Sequence, residues 1–108
     1  MKFPGSGDMG KLLKQAQKMQ ADLAKAQEEI AQMEAEGSSG GGAVTARVNG
    51  GYELLSLKID PAAIDPNDPE TLEDLVLTAV NQAIKAVRSR SEERMAQVAG
   101  PMGGMMGL

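Results

Sequence analysis

Apolar residues fall at Met9, Leu12, Ala16, Met19, Leu23, Ala26, Ile30 and Met33, in alternating steps of three and four. This a/d heptad predicts a helix over about 8–33, on the order of 40 Å long at 1.5 Å per residue. Asp8 stands where an N-cap is expected, and no proline or glycine interrupts Lys11 to Glu36. Such a helix is longer than a small core can cover, so part of it must project or pair with another chain. Its e and g positions (Leu13, Gln20, Gln27; Gln15, Asp22, Glu29) lack the complementary Glu/Lys set of a specified two-stranded coiled coil. Packing against a second helix, of the same chain or a partner's, is the favoured use.

Gly37-Ser38-Ser39-Gly40-Gly41-Gly42 reads as loop. Residues 43–49 then alternate, with Val44, Ala46 and Val48 on one face, and residues 52–59 place Leu55, Leu57 and Ile59 together. Asn49-Gly50-Gly51 between them signals a hairpin. A two-residue loop sets Val44 opposite Leu55 or Leu57, whereas a three-residue loop alone sets it opposite Ser56 and splits the faces. The two-residue hairpin is therefore expected. Two strands are marginal alone; a short third strand near Ala35-Glu36-Gly37 is an open option on a weak local pattern.

Asp60-Pro61 ends the second strand. Asp68 as N-cap and Pro69 at the first helical position open a second helix over about 69–98. Its stripe is Leu72, Leu75, Val76, Ala79, Val80, Ala83, Ile84 and Val87, wide enough to cover a sheet face. Residues 100–108, rich in Gly and Met, read as a flexible tail. The expectation is one α+β domain over 1–99: long N-terminal helix, short antiparallel hairpin or meander, long C-terminal helix.

Composition narrows the chemistry. The 108 residues contain neither cysteine nor histidine, which removes thiol nucleophiles, thiolate metal sites and the commonest general base. A non-enzyme without cofactor, metal or small-molecule substrate is expected. The glycine run lacks a Walker Gly-Lys-Ser/Thr ending and opens into a strand, so it reads as linker. Asp60, Asp65, Asp68 and Glu70 do not match calcium-loop spacing and read as caps and turns. With Phe3 and Tyr52 the only aromatics, a single-strand stacking platform is disfavoured. No apolar run has membrane-spanning length, and the start lacks a secretory pattern. A soluble cytoplasmic protein with no membrane partner is the expectation.

The net charge of −4 conceals a segregation. Residues 1–25 carry five lysines against two acids, and residues 79–108 carry four cations against two acids. Residues 26–78 hold only Arg47 and Lys58 against eleven acids. Basic ends on an acidic middle matter more to a polyanion than the total. Lys11, Lys18 and Lys25 recur every seven residues with Lys14 nearby, a row able to track phosphates. The alternative is a solvated face with Lys18–Asp22 and Lys25–Glu29 pairs. On the second helix, Arg90 and Arg94 continue the apolar line of Val76, Ala83 and Val87, while Lys85 and Arg88 lie on the other side. These arginines either snorkel at a rim or form a basic tip suited to phosphate.

Met9-Gly10-Lys11-Leu12-Leu13-Lys14-Gln15-Ala16-Gln17-Lys18-Met19-Gln20 resembles the opening of the YbaB/EbfC family of bacterial nucleoid-associated proteins. The Gly-Ser-Ser-Gly-Gly-Gly stretch into Val44 fits the same resemblance, as do Asn49-Gly50, Ile59-Asp60-Pro61 and Leu72-Glu73-Asp74-Leu75-Val76 with Ala79, Asn81 and Ala83. So does the Gly/Pro/Met-rich ending. The resemblance implies a homodimer with tweezer-like helical arms that binds double-stranded DNA in the nucleoid, organising it and bearing on gene regulation. The family fixes no contact residues. The charge distribution supplies Lys11, Lys14, Lys18, Lys25, Lys85, Arg88, Arg90 and Arg94 as candidates for DNA contact. The rival is an adaptor whose heptad seam engages a protein partner.

Overall fold

The computed structural model describes the backbone of residues 6–105 and the side chains of residues 9–100. Helix α1 (Ser6–Gln32) leads into strands β1 (Glu34–Ser39), β2 (Val44–Asn49) and β3 (Leu54–Ile59), followed by helix α2 (Pro69–Met105). The strands form one antiparallel sheet in the order β1-β2-β3. This is the expected α+β helix–meander–helix class, drawn out to 85 × 25 × 16 Å.

Four local readings change. First, the third strand that the sequence leaves open near Ala35-Glu36-Gly37 is present as β1, and it extends through Ser39 into what reads as loop. Ala35 and Gly37 are buried while Glu34, Glu36 and Ser38 face solvent, so the period-two pattern exists but rests on the two smallest residues. Only Gly40–Gly42 remains a turn, with all three glycines at positive φ. Second, α1 begins at Ser6, which places Asp8 inside the first turn instead of at the cap; its side chain lies outside the described residues. Third, α2 continues past Val98 through Gly100 and Pro101 to Met105. Proline's fixed φ is compatible with a helix, at the expense of one backbone hydrogen bond. The tail residues 106–108 lie outside the described residues.

The fourth change is the hairpin. Tyr52 N–H donates to the Asn49 carbonyl at 3.0 Å and Asn49 N–H to the Glu53 carbonyl at 3.1 Å, so the loop is Gly50-Gly51-Tyr52, three residues long. A register shift between Arg47 and Val48 then skips Leu55, and Val44 pairs with Ile59 and Ala46 with Leu57. A bulge restores the parity that the odd loop removes. Apolar still faces apolar, by a route that hydrophobic pattern alone does not distinguish from a two-residue loop.

Helix α2 lies across β1 and β2. Ala35, Val44, Ala46 and Val48 of the sheet meet Ala79, Ala83 and Val87 in the core. The small residues let the layers approach closely. At Gly37, any Cβ would run into the Ala79 carbonyl and the Ala83 amide of α2. The consequence is a thin core, whose largest fully buried side chains are three valines. At roughly 1.5–3 kcal/mol per buried aliphatic side chain, so small a set gives the fold modest support from within one chain.

The predicted start of α2 is observed: Asp68 caps it, accepting from Thr71 N–H at 3.3 Å and from its hydroxyl at 2.6 Å. Asp60 and Asp65 accept turn amides from Ala62 and Asn67, the capping and turn roles read from the sequence.

Candidate nucleic-acid interface

The two helices run antiparallel, fixed by one contact near the end of α1 and one on β1 just beyond it. Arg94 Nε donates to Glu29 Oε2 at 2.8 Å, and Arg90 Nη1 donates to the Glu34 carbonyl at 2.6 Å. Moving toward the C-terminus of α2 therefore means moving toward the N-terminus of α1. The basic first half of α1 and the arginine-bearing half of α2 belong to the same end of the molecule, away from the acidic start of α2.

Along α1, Lys11, Lys14, Lys18 and Lys25 are exposed and fall within an arc of about 60° at 3.6 residues per turn. The seam is turned away from them. Ala26 is fully buried and Leu23 and Ile30 are half-buried, whereas Met9, Leu12 and Leu13 are 60–64% exposed. Of the i,i+4 pairs that would make the lysines a self-neutralised face, neither forms. Among the described residues the ion pairs are Arg94–Glu29 and Arg47–Glu34, at 2.8 and 3.2 Å. Glu29, the partner that sequence assigns to Lys25, is taken by Arg94.

The cations of α2 divide by function. Lys85 is exposed. The Arg88 guanidinium sits 5.8 Å from the centroid of the Tyr52 ring, a cation–π distance. Arg90 and Arg94 tie α2 to β1 and α1 as described above. Of these four, Arg88, Arg90 and Arg94 hold partners within the chain, with Arg94 also reaching the Gln97 side chain at 3.4 Å. The structure thus brings Arg94 to the lysine face of α1 and leaves Lys85 and Arg88 nearer the sheet.

Two contributors are not evident from charge counting. Tyr52 carries a left-handed φ of 61°, unusual for a bulky residue. It is held there by the Asn49 side chain, which accepts from the Gly51 and Glu53 amides at 2.9 and 3.0 Å. The Gly50 amide donates to the Met33 carbonyl at 2.8 Å, docking the loop on the exit of α1. A Cβ at Gly50 would collide with the Ile30 carbonyl. The Asn-Gly-Gly signal marks a turn, but nothing in it marks a clasp that holds α1 to the sheet. Arg47 is the other: its pair with Glu34 places it beside Arg90 on the β1 flank.

Comparison with known proteins bears on this arrangement. A profile of the YbaB/EbfC DNA-binding family matches residues 5–102. A "Nucleoid-associated protein" of Saccharopolyspora erythraea is 49% identical over 104 residues, spanning 96% of this chain and 90% of its own. Its namesake from Streptomyces griseus subsp. griseus is 50% identical over 98% of this chain and 95% of its own. Among solved structures, the uncharacterized protein HP0035 from Helicobacter pylori superposes with a TM-score of 0.58 at 27% identity, covering 72% of this chain and 90% of its own. With a sequence match running nearly end to end, the chain belongs to the YbaB/EbfC DNA-binding family.

Proposed function

We propose that the protein is a non-catalytic, nucleoid-associated homodimer that grips the phosphate backbone of double-stranded DNA with its basic helical arms. The observation that carries this reading is the exposed row Lys11, Lys14, Lys18 and Lys25, on an arm that leads away from an acidic body. A polyanion is drawn to the arms and repelled by the body, so attraction and orientation come from one charge pattern. Lysines on a helix flank give phosphate contacts without base readout, which suits a protein that organises the nucleoid in the cytoplasm and affects gene expression broadly. Lys85, Arg88, Arg90 and Arg94 extend the surface at the root of the arm.

The dimer is supported by what α2 leaves uncovered. Leu54, Leu55 and Leu57 on β3 are 49, 42 and 38% exposed. Leu54 and Leu57 pair with the core residues Val48 and Ala46, so they share the sheet face that α2 covers elsewhere. Leu72, Val76, Leu77 and Val80 line an apolar hollow on α2. A second copy burying these surfaces supplies what the thin core lacks.

Fluorescence anisotropy with a labelled duplex across a salt series tests the DNA reading. Binding at low salt that weakens as salt rises supports it. No binding at low salt, or unchanged binding after Lys11, Lys14, Lys18, Arg90 and Arg94 become glutamate, overturns it. The adaptor reading is favoured by one observation, the exposure of Met9 and Leu12 on the seam. It predicts capture of a protein partner that depends on Leu12, Met19 and Leu23 and is indifferent to lysine charge.

A further inference from the structure

Among the described residues, Tyr52 alone combines a side chain with a positive φ. It closes the loop Gly50-Gly51-Tyr52, and the last position of such a three-residue hairpin is left-handed and ordinarily glycine. Neither Gly50 nor Gly51 has a positive φ. The glycines stand where left-handed freedom is not used, and a bulky ring stands where it is. We propose that Tyr52 contacts DNA at the root of the arm: its ring packs on a deoxyribose while Arg88, held against that ring, is presented to the neighbouring phosphate. This assignment rests on the DNA reading above and adds an uncharged contact to it.

The first support is strain with little structural return. Tyr52 is exposed and lies outside the core cluster. Its ring meets the Arg88 guanidinium at 5.8 Å, but both residues are exposed, and exposed cation–π pairs are the weak ones. Left-handed residues other than glycine gather at ligand clamps, where the surrounding structure holds them in place. Here the Asn49 side chain does so, through the Gly51 and Glu53 amides.

The second is position. The Gly50 amide bonds the Met33 carbonyl, which sets the loop tip at the exit of α1. Arg88 lies two residues before Arg90, which reaches the Glu34 carbonyl on β1. The ring therefore stands where the basic arm joins the acidic body, with exposed Lys85 one turn back on α2.

The third is chemistry. Among the described residues Arg88 forms no ion pair, and the Glu53 carboxylate beside Tyr52 accepts from Asn49 Nδ2 at 3.2 Å. The guanidinium keeps its charge for a phosphate, and the stack orders it before binding. The ring offers a sugar apolar surface, and its hydroxyl can bond a phosphate oxygen, without reading a base edge.

Stability and binding should then move apart. In Tyr52→Gly, the urea midpoint is expected to equal or exceed that of the wild type, while duplex affinity by anisotropy at fixed salt falls several-fold. Tyr52→Phe, which keeps the ring, should retain most of the affinity. Because the chain has a single tyrosine, full-length protein grown with 3-fluorotyrosine gives one fluorine resonance, which should shift on saturation with duplex. Wild-type binding matched by Tyr52→Gly, or a resonance that duplex does not move, would overturn the inference and leave the DNA reading standing. A urea midpoint that falls together with affinity in Tyr52→Gly would make the ring structural and overturn it too. A wild type that binds no duplex at low salt ends both readings.

Discussion

Arg94 reaches from α2 to bond Glu29 at 2.8 Å, and Glu29 lies one helical turn beyond Lys25 on the lysine-bearing side of α1. Both side chains are partly exposed, at 33% and 41%, so the pair contributes at most about 1 kcal/mol to stability. Its larger effect is on the charge of the arm. Without Arg94, the lysine row would end against an uncompensated carboxylate.

Binding should respond to that pair in a signed way. Glu29→Gln is expected to raise duplex affinity several-fold at low salt, while Arg94→Gln lowers it by a similar factor. The double substitution should fall between them. Anisotropy titrations at fixed ionic strength read this out, and equal losses from both single variants would contradict the electrostatic account.

Counterion release gives a second measurement. Replacing Lys11, Lys14 and Lys18 together by glutamine should flatten the dependence of log affinity on log salt by about 0.9 for each phosphate left without its lysine. Lys58→Gln, on the sheet and away from the arm, should leave the slope unchanged.

Two glycines are expected to be intolerant for steric reasons. Gly37→Ala and Gly50→Ala each drive a methyl group into helix backbone, and each should lower the unfolding free energy by about 2 kcal/mol or more. Gly10→Ala is the contrast. It lies within α1 with open space around it, and it should stabilise by about 0.5–1 kcal/mol. Urea melts of the three variants would separate these cases.

The leucines of β3 should set the oligomeric state. Wild-type protein is expected to elute as a dimer at micromolar concentration in light-scattering chromatography. Leu54→Asp combined with Leu57→Asp should shift it toward monomer, with lowered thermal stability and a helical circular dichroism signal that persists at low temperature. A double variant that stays dimeric would move the interface elsewhere.

The parts of this fold that are legible in sequence are those with large side chains or strong punctuation. The heptad of α1, the stripe of α2 and the Asp68-Pro69 start declare themselves because leucine, isoleucine and proline carry a strong signal. Strand β1 does not, since its inward positions are Ala35 and Gly37, suited to close approach by α2 and nearly silent on any hydrophobicity scale. The hairpin register is legible only in parity, because the Leu55 bulge and the Tyr52 turn cancel in the alternation of faces. Among the candidate contacts, the lysine row of α1 can be placed from spacing alone. The intramolecular partners of Arg88, Arg90 and Arg94 cannot, since Tyr52, Glu34 and Glu29 are brought to them by the chain's return path.

The two borders of the sheet are unlike. On β1, the outward Ser38 amide donates to the Gln82 side chain at 2.7 Å and the outward Glu34 carbonyl accepts from Arg90. Among the described residues, no side chain does the same for β3. A sheet with one sealed border and one open border can be lengthened only once by a copy of itself, because joining open border to open border uses up both. For copies that join by strand addition, that asymmetry would end growth at a closed pair and leave no route to a filament.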